Sequence, residues 1–262
     1  MSAVNLSQKS IIFVTGASRG IGQTISIELS RKLDQSSVLV LLARSKKGLE
    51  ETKAQILEVD KSLTVQTYVT DLSKPDNEVF TKLFQEILNS VDTKDIRLGM
   101  IVHNAGLTGT VKRTTDLTDL VTWREQFDLN LFSAVMLNSL FIKHIRPIAP
   151  QLVVVNITSL CGRAPFANLA MYGSGKAARE IFFKVLALEE PHIVVCNYSP
   201  GPVDTDMFNN IIETAQSEEV QKEFKQVKET AVLTPFQTVS KLLELLEKGD
   251  FKSGDTIDYF DK

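Results

Sequence analysis

The run Ile11 to Val14, followed by Thr15-Gly16-Ala17-Ser18-Arg19-Gly20-Ile21-Gly22, constrains the fold more than any other stretch of the chain. The apolar run fits a buried strand, and the glycines punctuate its end. Ile21, Ile25, Leu29 and Leu33 then recur every four residues, which puts them on one helix face. Strand, glycine turn and helix are the opening of a βαβ unit. The glycines permit a tight turn and close backbone approach to a pyrophosphate, while the helix supplies free amides and a favourable dipole. A purely structural turn could carry the same letters, but the strand before it and the helix after it favour a dinucleotide site. The Gly-Lys-Ser or Gly-Lys-Thr ending of a triphosphate loop is missing.

The rest of the chain repeats the alternation. Val38–Leu42, Val65–Val69, Leu98–Val102, Leu152–Ile157 and Ile193–Cys196 have strand composition. Helical patterns cover Lys46–Leu57, a segment begun by Pro75, one long helix from Trp123 to Ile145, Met171–Leu188, and Phe236–Leu246. Asn209–Thr230 predicts helices or a mobile segment beside the site, and Thr256–Phe260 a final or edge strand. The expected fold is α/β, a single Rossmann-like domain over 1–262. Its parallel sheet would be doubly wound, with helices on both faces.

Composition narrows the function classes. The chain has 262 residues, enough for one substantial core, with 43% hydrophobic and 23% charged residues. A formal net charge of -3 gives no global reason to expect nucleic-acid binding. Cys161 and Cys196 make no disulfide framework, which suggests a reducing compartment, and no cluster with metal-ligand spacing emerges. Met1–Ser10 lacks a signal-peptide core, and no apolar stretch approaches the roughly 20 residues of a membrane span. A soluble, cytoplasmic protein is expected.

Candidate cofactor contacts lie at the strand ends. Arg44 follows the second strand, where an acidic residue would favour the diol of NAD. An arginine there can instead pair with the 2′-phosphate of NADP, with Arg19 as a second donor. NADPH/NADP is therefore the expected cofactor. Asp71 can accept from adenine, with Leu72 on the ring, or it can close a turn. Asn104-Ala105-Gly106 permits close approach, and Asn104 either bridges loop backbones or simply shapes a turn.

The strongest local signal is Tyr172-Gly173-Ser174-Gly175-Lys176. The four-residue spacing puts Tyr172 and Lys176 on one side of a helix. A tyrosine hydroxyl can protonate a carbonyl oxygen as hydride reaches its carbon. The lysine can lower the hydroxyl pKa and bind ribose hydroxyls. Gly173 and Gly175 suggest close cofactor packing. Ser159 can orient the carbonyl oxygen or cap a turn, and Asn130 can support a water and lysine relay or lie on a helix surface. His103, His144 and His192 are expected to be structural or exposed.

These motifs together resemble the short-chain dehydrogenase/reductase family across nearly the whole chain. Thr15–Gly22, Asn104-Ala105-Gly106 and the set Asn130, Ser159, Tyr172, Lys176 carry the resemblance. Three further stretches resemble members that reduce pterin carbonyls: Leu186–Pro191, Pro200–Met207, and the tail from Phe251 to Lys262. That resemblance implies Asp258 as anchor of the pterin ring, with Ser159, Leu160, Tyr172 and Gly201 around the reacting side chain. Val203, Thr205, Asp206 and Met207 would lie over the cofactor. It also implies a homodimer, with a small-molecule pterin carbonyl as substrate. A broader reductase of aromatic or vicinal diketones would keep the same catalytic groups.

Overall fold

In the computed structural model, which describes residues 3–261, strand β1 (Ser10–Thr15) is buried along its whole length. Met1, Ser2 and Lys262, within the expected 1–262 domain, lie outside the described residues. The glycine turn leads from β1 into helix α1 (Gly20–Ser30). There follow β2 (Val38–Ala43), α2 (Lys46–Val59), β3 (Thr64–Val69), α3 (Asn77–Asn89) and β4 (Leu98–His103). Next come α4 (Leu120–Phe127), α5 (Ser133–Ile145), β5 (Gln151–Ile157), α6 (Ala170–Glu189) and β6 (Ile193–Ser199). The chain ends with α7 (Asp206–Thr214), α8 (Glu218–Thr230), α9 (Pro235–Lys248) and β7 (Thr256–Asp258).

The sheet order is β3-β2-β1-β4-β5-β6-β7, and every pairing is parallel. Alternation along β1 splits its side chains between two cores. Ile12 and Val14 pack with α1 and α9 residues such as Leu29 and Leu242, while Ile11 and Phe13 pack with Phe84, Phe141 and Phe183 from the opposite face. This is a single-domain, doubly wound Rossmann-like sheet covered on both faces. Strand order reverses between β1 and β4, so their carboxyl ends open a crevice.

Four boundaries differ from expectation. Pro75 does not begin α3: Asp76 is the cap, accepting from the Val79 amide at 2.9 Å, and Pro75 precedes it. Helix α1 stops at Ser30, and Leu33 is buried from the following turn. The long helix expected from Trp123 to Ile145 is interrupted by a π turn at Asp128–Phe132, between α4 and α5. The Asn130 side chain there bonds the Leu107 amide at 3.0 Å and carbonyl at 2.8 Å. Such wide turns are frequent at functional sites. The terminal strand ends at Asp258 because its carboxylate turns back to accept from the Phe260 amide at 3.1 Å. Asn209–Thr230 covers most of α7, a short connection at 215–217, and α8.

Candidate active site

A groove of about 750 Å³ runs along the carboxyl ends of β1, β2 and β4. Gly16, Ser18, Arg19, Gly20 and Ile21 form one wall. Arg44, Leu72, Asn104, Ala105, Gly106, Thr205, Asp206 and Met207 also line it. Gly22, Asp71 and Val203 lie outside this lining. Val203 is buried in a bridge to Leu233. The Asp71 carboxylate accepts from the Ser73 hydroxyl at 2.7 Å and amide at 3.1 Å, and the Ser73 hydroxyl, chiefly, holds its carboxyl below the usual range. The Asp71 carboxylate thus closes a turn beside the groove, a role compatible with the expected adenine contact.

The floor of the groove is shaped by absent side chains. Gly16 has φ +68°, and a Cβ on it would come within 2.8 Å of Asn104 Nδ2. A Cβ on Gly22 would lie 2.3 Å from the Gly16 carbonyl oxygen. Gly22 thus serves the groove from beneath, by letting α1 pack against the turn. Asn104 locks the arrangement, with Nδ2 donating to the carbonyls of Thr15 at 3.0 Å and Gly16 at 3.3 Å. The Thr15 hydroxyl accepts from the Asn104 and Ala105 amides.

At the far end of the groove stand Arg44 and Lys47, joined by Ser45 and Thr70, none of which except Arg44 was anticipated. Arg19 pairs with Asp206 at 2.5 Å, linking the glycine turn to the start of α7. The groove therefore fits a dinucleotide with an extra phosphate: a glycine cradle for the pyrophosphate and cations where a 2′-phosphate would fall.

Beyond Gly106 lies the second cluster. A Cβ on Gly106 would stand 3.8 Å from Lys176 Nζ and 3.0 Å from Asn130 Oδ1. Lys176 Nζ donates to the Ile157 carbonyl at 2.6 Å and sits 5.6 Å from the centre of the Tyr172 ring. Ser159 Oγ accepts from the Cys161 amide at 3.2 Å, so both of its sequence alternatives are compatible: it caps a turn and keeps its own O–H to donate. Gly173 does not face the groove. A Cβ there would meet the Cys161 carbonyl oxygen at 2.5 Å, which shows why α6 can press against the Ser159 turn. Leu160, on that turn, is exposed.

Burial dominates the acid–base behaviour of this cluster. It pushes the Tyr172 hydroxyl up, and the neighbouring Cys161 adds to the rise. The Ser159 hydroxyl and the Arg179 charge act the other way. Burial also pushes Lys176 well down, and the positive charge of Arg179 pushes it further. The cation that lowers the Tyr172 hydroxyl here is Arg179, which sequence reasoning missed, and not the expected Lys176. Arg179 lies three residues after Lys176 and four before Phe183, on the buried face of α6, and that spacing was the available signal.

The predicted substrate anchor sits one strand further on. Asp258 Oδ2 accepts from Ser199 Oγ at 2.6 Å and from Arg163 Nη2 at 3.3 Å. Arg163, also missed from sequence, leaves the Ser159 turn and approaches Glu180 at 3.9 Å. Burial works against the Glu180 carboxylate, but hydrogen bonds from Lys184, Thr256 and Thr158 hold its carboxyl below the usual range. Gly201, at φ +73°, lies against Leu233, Tyr259 and Phe260.

Comparison with known proteins agrees with this geometry. A family model described as short chain dehydrogenase matches residues 10–216. Bovine (Bos taurus) sepiapterin reductase is 34% identical over 258 residues, covering 97% of this chain and 96% of its own. Benzil reductase ((S)-benzoin forming) from Bacillus subtilis is 26% identical, covering 91% and 94%. A solved short chain dehydrogenase from Escherichia coli CFT073, complexed with NADPH, superposes with a TM-score of 0.78 at 27% identity, covering 98% and 99%. The chain belongs to the short chain dehydrogenase family and is an NADP(H)-dependent reductase acting on carbonyl groups.

Proposed function

We propose that the chain is a broader carbonyl reductase whose substrates are aromatic or vicinal diketones, not pterins in particular. The grouping of Ser159, Tyr172 and Lys176 beyond the Gly106 end of the groove carries the carbonyl reduction, and the similarity to benzil reductase favours a diketone. Bound NADPH supplies the hydride. Ser159, whose oxygen already accepts from the Cys161 amide, donates its O–H to the carbonyl oxygen and orients it. Tyr172 gives that oxygen its proton, so one hydride and one proton convert the ketone to an alcohol. Lys176 contacts the ribose beside Gly106, and Asn130 shapes the backbone around it.

The similarity to sepiapterin reductases and the tail ending at Asp258 favour a second reading, reduction of the side-chain carbonyls of 6-pyruvoyltetrahydropterin or sepiapterin. There Asp258 would accept from the guanidine-like edge of the pterin. Its engagement by Arg163, Ser199 and the Phe260 amide favours the broader reading, because a pterin would have to compete with the Arg163 guanidinium. Anaerobic NADPH oxidation with benzil, 6-pyruvoyltetrahydropterin and sepiapterin, with product identification, separates the two. Benzil reduced at least as efficiently as the pterins is the expected result, and strong preference for a pterin contradicts it.

The same reading includes a cytoplasmic homodimer. Ile181, Val185 and Leu188 form an exposed apolar stripe along α6 suited to a second copy. No helix among the described residues is long and apolar enough to cross a membrane. Light scattering on the purified chain tests the dimer.

A further inference from the structure

Tyr172, Lys176 and Arg179 follow one another at intervals of four and three on α6, and so share the face turned into the molecule. Arg179 is 1% exposed. Its Nε donates to Asn156 Oδ1 at 2.6 Å, and its Nη1 to the carbonyls of Ala105 at 3.0 Å and Asn130 at 3.4 Å. Its Nη2 donates to the His103 carbonyl. All of these acceptors are neutral oxygens.

A buried guanidinium without a countercharge is costly, and an apolar side chain of similar volume would often serve stability better. The identity of the acceptors offers a reason to keep it. His103 and Ala105 flank Asn104, whose amide holds the glycine turn of the dinucleotide groove. Asn130 is the centre of the π turn, and its carbonyl is drawn toward Arg179. Asn156 passes the contact on, donating to Asn197 Oδ1 at 2.8 Å, and Asn197 donates to the Gly254 carbonyl at 3.1 Å. One planar fork thus fixes the loop after β4, the π turn and the end of β5 around Tyr172.

We propose that Arg179 is a positioning residue for the reduction, holding the Ala105 and Asn130 carbonyls in place and keeping a permanent positive charge beneath Tyr172 and Lys176. This rests on the proposed role of Tyr172 as proton donor. Burial lowers Arg179 itself only to about 10, so the charge persists at neutral pH. The groups that share this charge environment are few. Tyr172 and Lys176 lie on α6 itself, and Cys161 comes from the adjoining turn, where burial raises its thiol. On β4, burial keeps His103 neutral, with its pKa lowered to about 3, and on β6 burial raises Cys196 to about 12. On α4, Arg124 and Glu125 are exposed, and Asp128 in the π turn is half-buried. Glu180, next on α6, is occupied by Thr158, Lys184 and Thr256.

The test compares Arg179→Met, which removes charge and fork, with Arg179→Lys, which keeps the charge alone. Three quantities are read on each: the melting curve, NADPH affinity by fluorescence titration, and the ultraviolet titration of Tyr172 in the NADP⁺-bound protein, with Tyr172→Phe as blank. Folded Arg179→Met should titrate Tyr172 about one pH unit higher and bind NADPH about tenfold more weakly. Arg179→Lys should keep the tyrosine midpoint yet weaken NADPH binding, because an ammonium cannot reach all the oxygens of a fork. An unchanged midpoint and unchanged affinity in folded Arg179→Met overturn the proposal. If that variant does not fold, wild-type affinity in Arg179→Lys overturns it instead. Neither readout needs a carbonyl substrate, so failure of the diketone panel would count against the substrate reading alone.

Discussion

The two ends of the site are built from different materials. The dinucleotide end is backbone: Gly16, Gly20 and Gly22 make space, and Asn104 and Thr15 lock two loops together through main-chain atoms. Its cationic side chains, Arg19, Arg44 and Lys47, line the groove around that backbone frame, with Glu51, Asp204 and Asp206 among them. The substrate end is a side-chain network. Arg163, Asp258, Ser199, Glu180, Thr158 and Thr256 already satisfy one another before any ligand arrives. A backbone cradle tolerates little change and holds one class of ligand. A self-satisfied charged network can be retuned by exchanging one partner, which makes it the place where the proposed specificity is to be tested.

The largest expected effect lies where the two ends meet. Tyr172→Phe should lower carbonyl reduction by about 10²–10⁴-fold, and Ser159→Ala by about 10²-fold. NADPH affinity should be unchanged in both, as measured by fluorescence titration beside steady-state kinetics. If affinity fell in step with turnover, the division between the ends would be broken.

Gly22→Ala probes the backbone end. Its Cβ would meet the Gly16 carbonyl oxygen at 2.3 Å and Asn104 Nδ2 at 2.5 Å, both fixed atoms. A loss of about 1–3 kcal/mol in stability is expected, together with weaker NADPH binding. Thermal melting and cofactor titration read both, and a neutral outcome would show the cradle to be softer than its geometry suggests.

Arg163→Leu probes the network end. Freeing Asp258 from its guanidinium should raise the use of pterin carbonyls relative to benzil by up to about tenfold, with NADPH affinity unchanged. No change in that ratio would remove Arg163 from specificity.

The next prediction concerns stability against pH, away from both ends. Burial, helped by the Arg179 charge, holds the His103 ring neutral, its pKa lowered to about 3. The unfolded chain takes up this proton first, near pH 6.5. His103 therefore contributes stability above that pH and loses it as pH falls toward 3. His103→Phe should flatten the fall in melting temperature between about pH 6.5 and 4. A slope as steep as in the wild type would assign the acid sensitivity to other groups.

The same division explains what was legible in the sequence. Gly16, Gly20 and Gly22 announce the groove because a backbone feature demands a particular residue type at a particular position. Tyr172 and Lys176 announce themselves by helical spacing, and strand runs such as Val38–Ala43 by their unbroken apolarity. The π turn was hidden because its cause is long-range: Asn130 is held by Leu107 and Arg179, both distant in sequence. At Asp71 and Asp258 each carboxylate closes a local turn, a role that residue type could offer beside ligand binding and that only the fold displays. Arg163 and Arg179 stayed hidden because a lone arginine in a helical or loop pattern ordinarily signals a solvated surface. Only the fold shows that one is inside and the other is paired with the expected anchor.

The most direct measurement of the central claim follows hydrogen. NADPH dideuterated at C4 is incubated with benzil and the wild-type chain, and the product is examined by mass spectrometry and NMR. The account predicts one deuterium on the new carbinol carbon with wild type and almost no product with Tyr172→Phe. NADPH bound tightly by wild type without labelled alcohol from benzil or either pterin would contradict it.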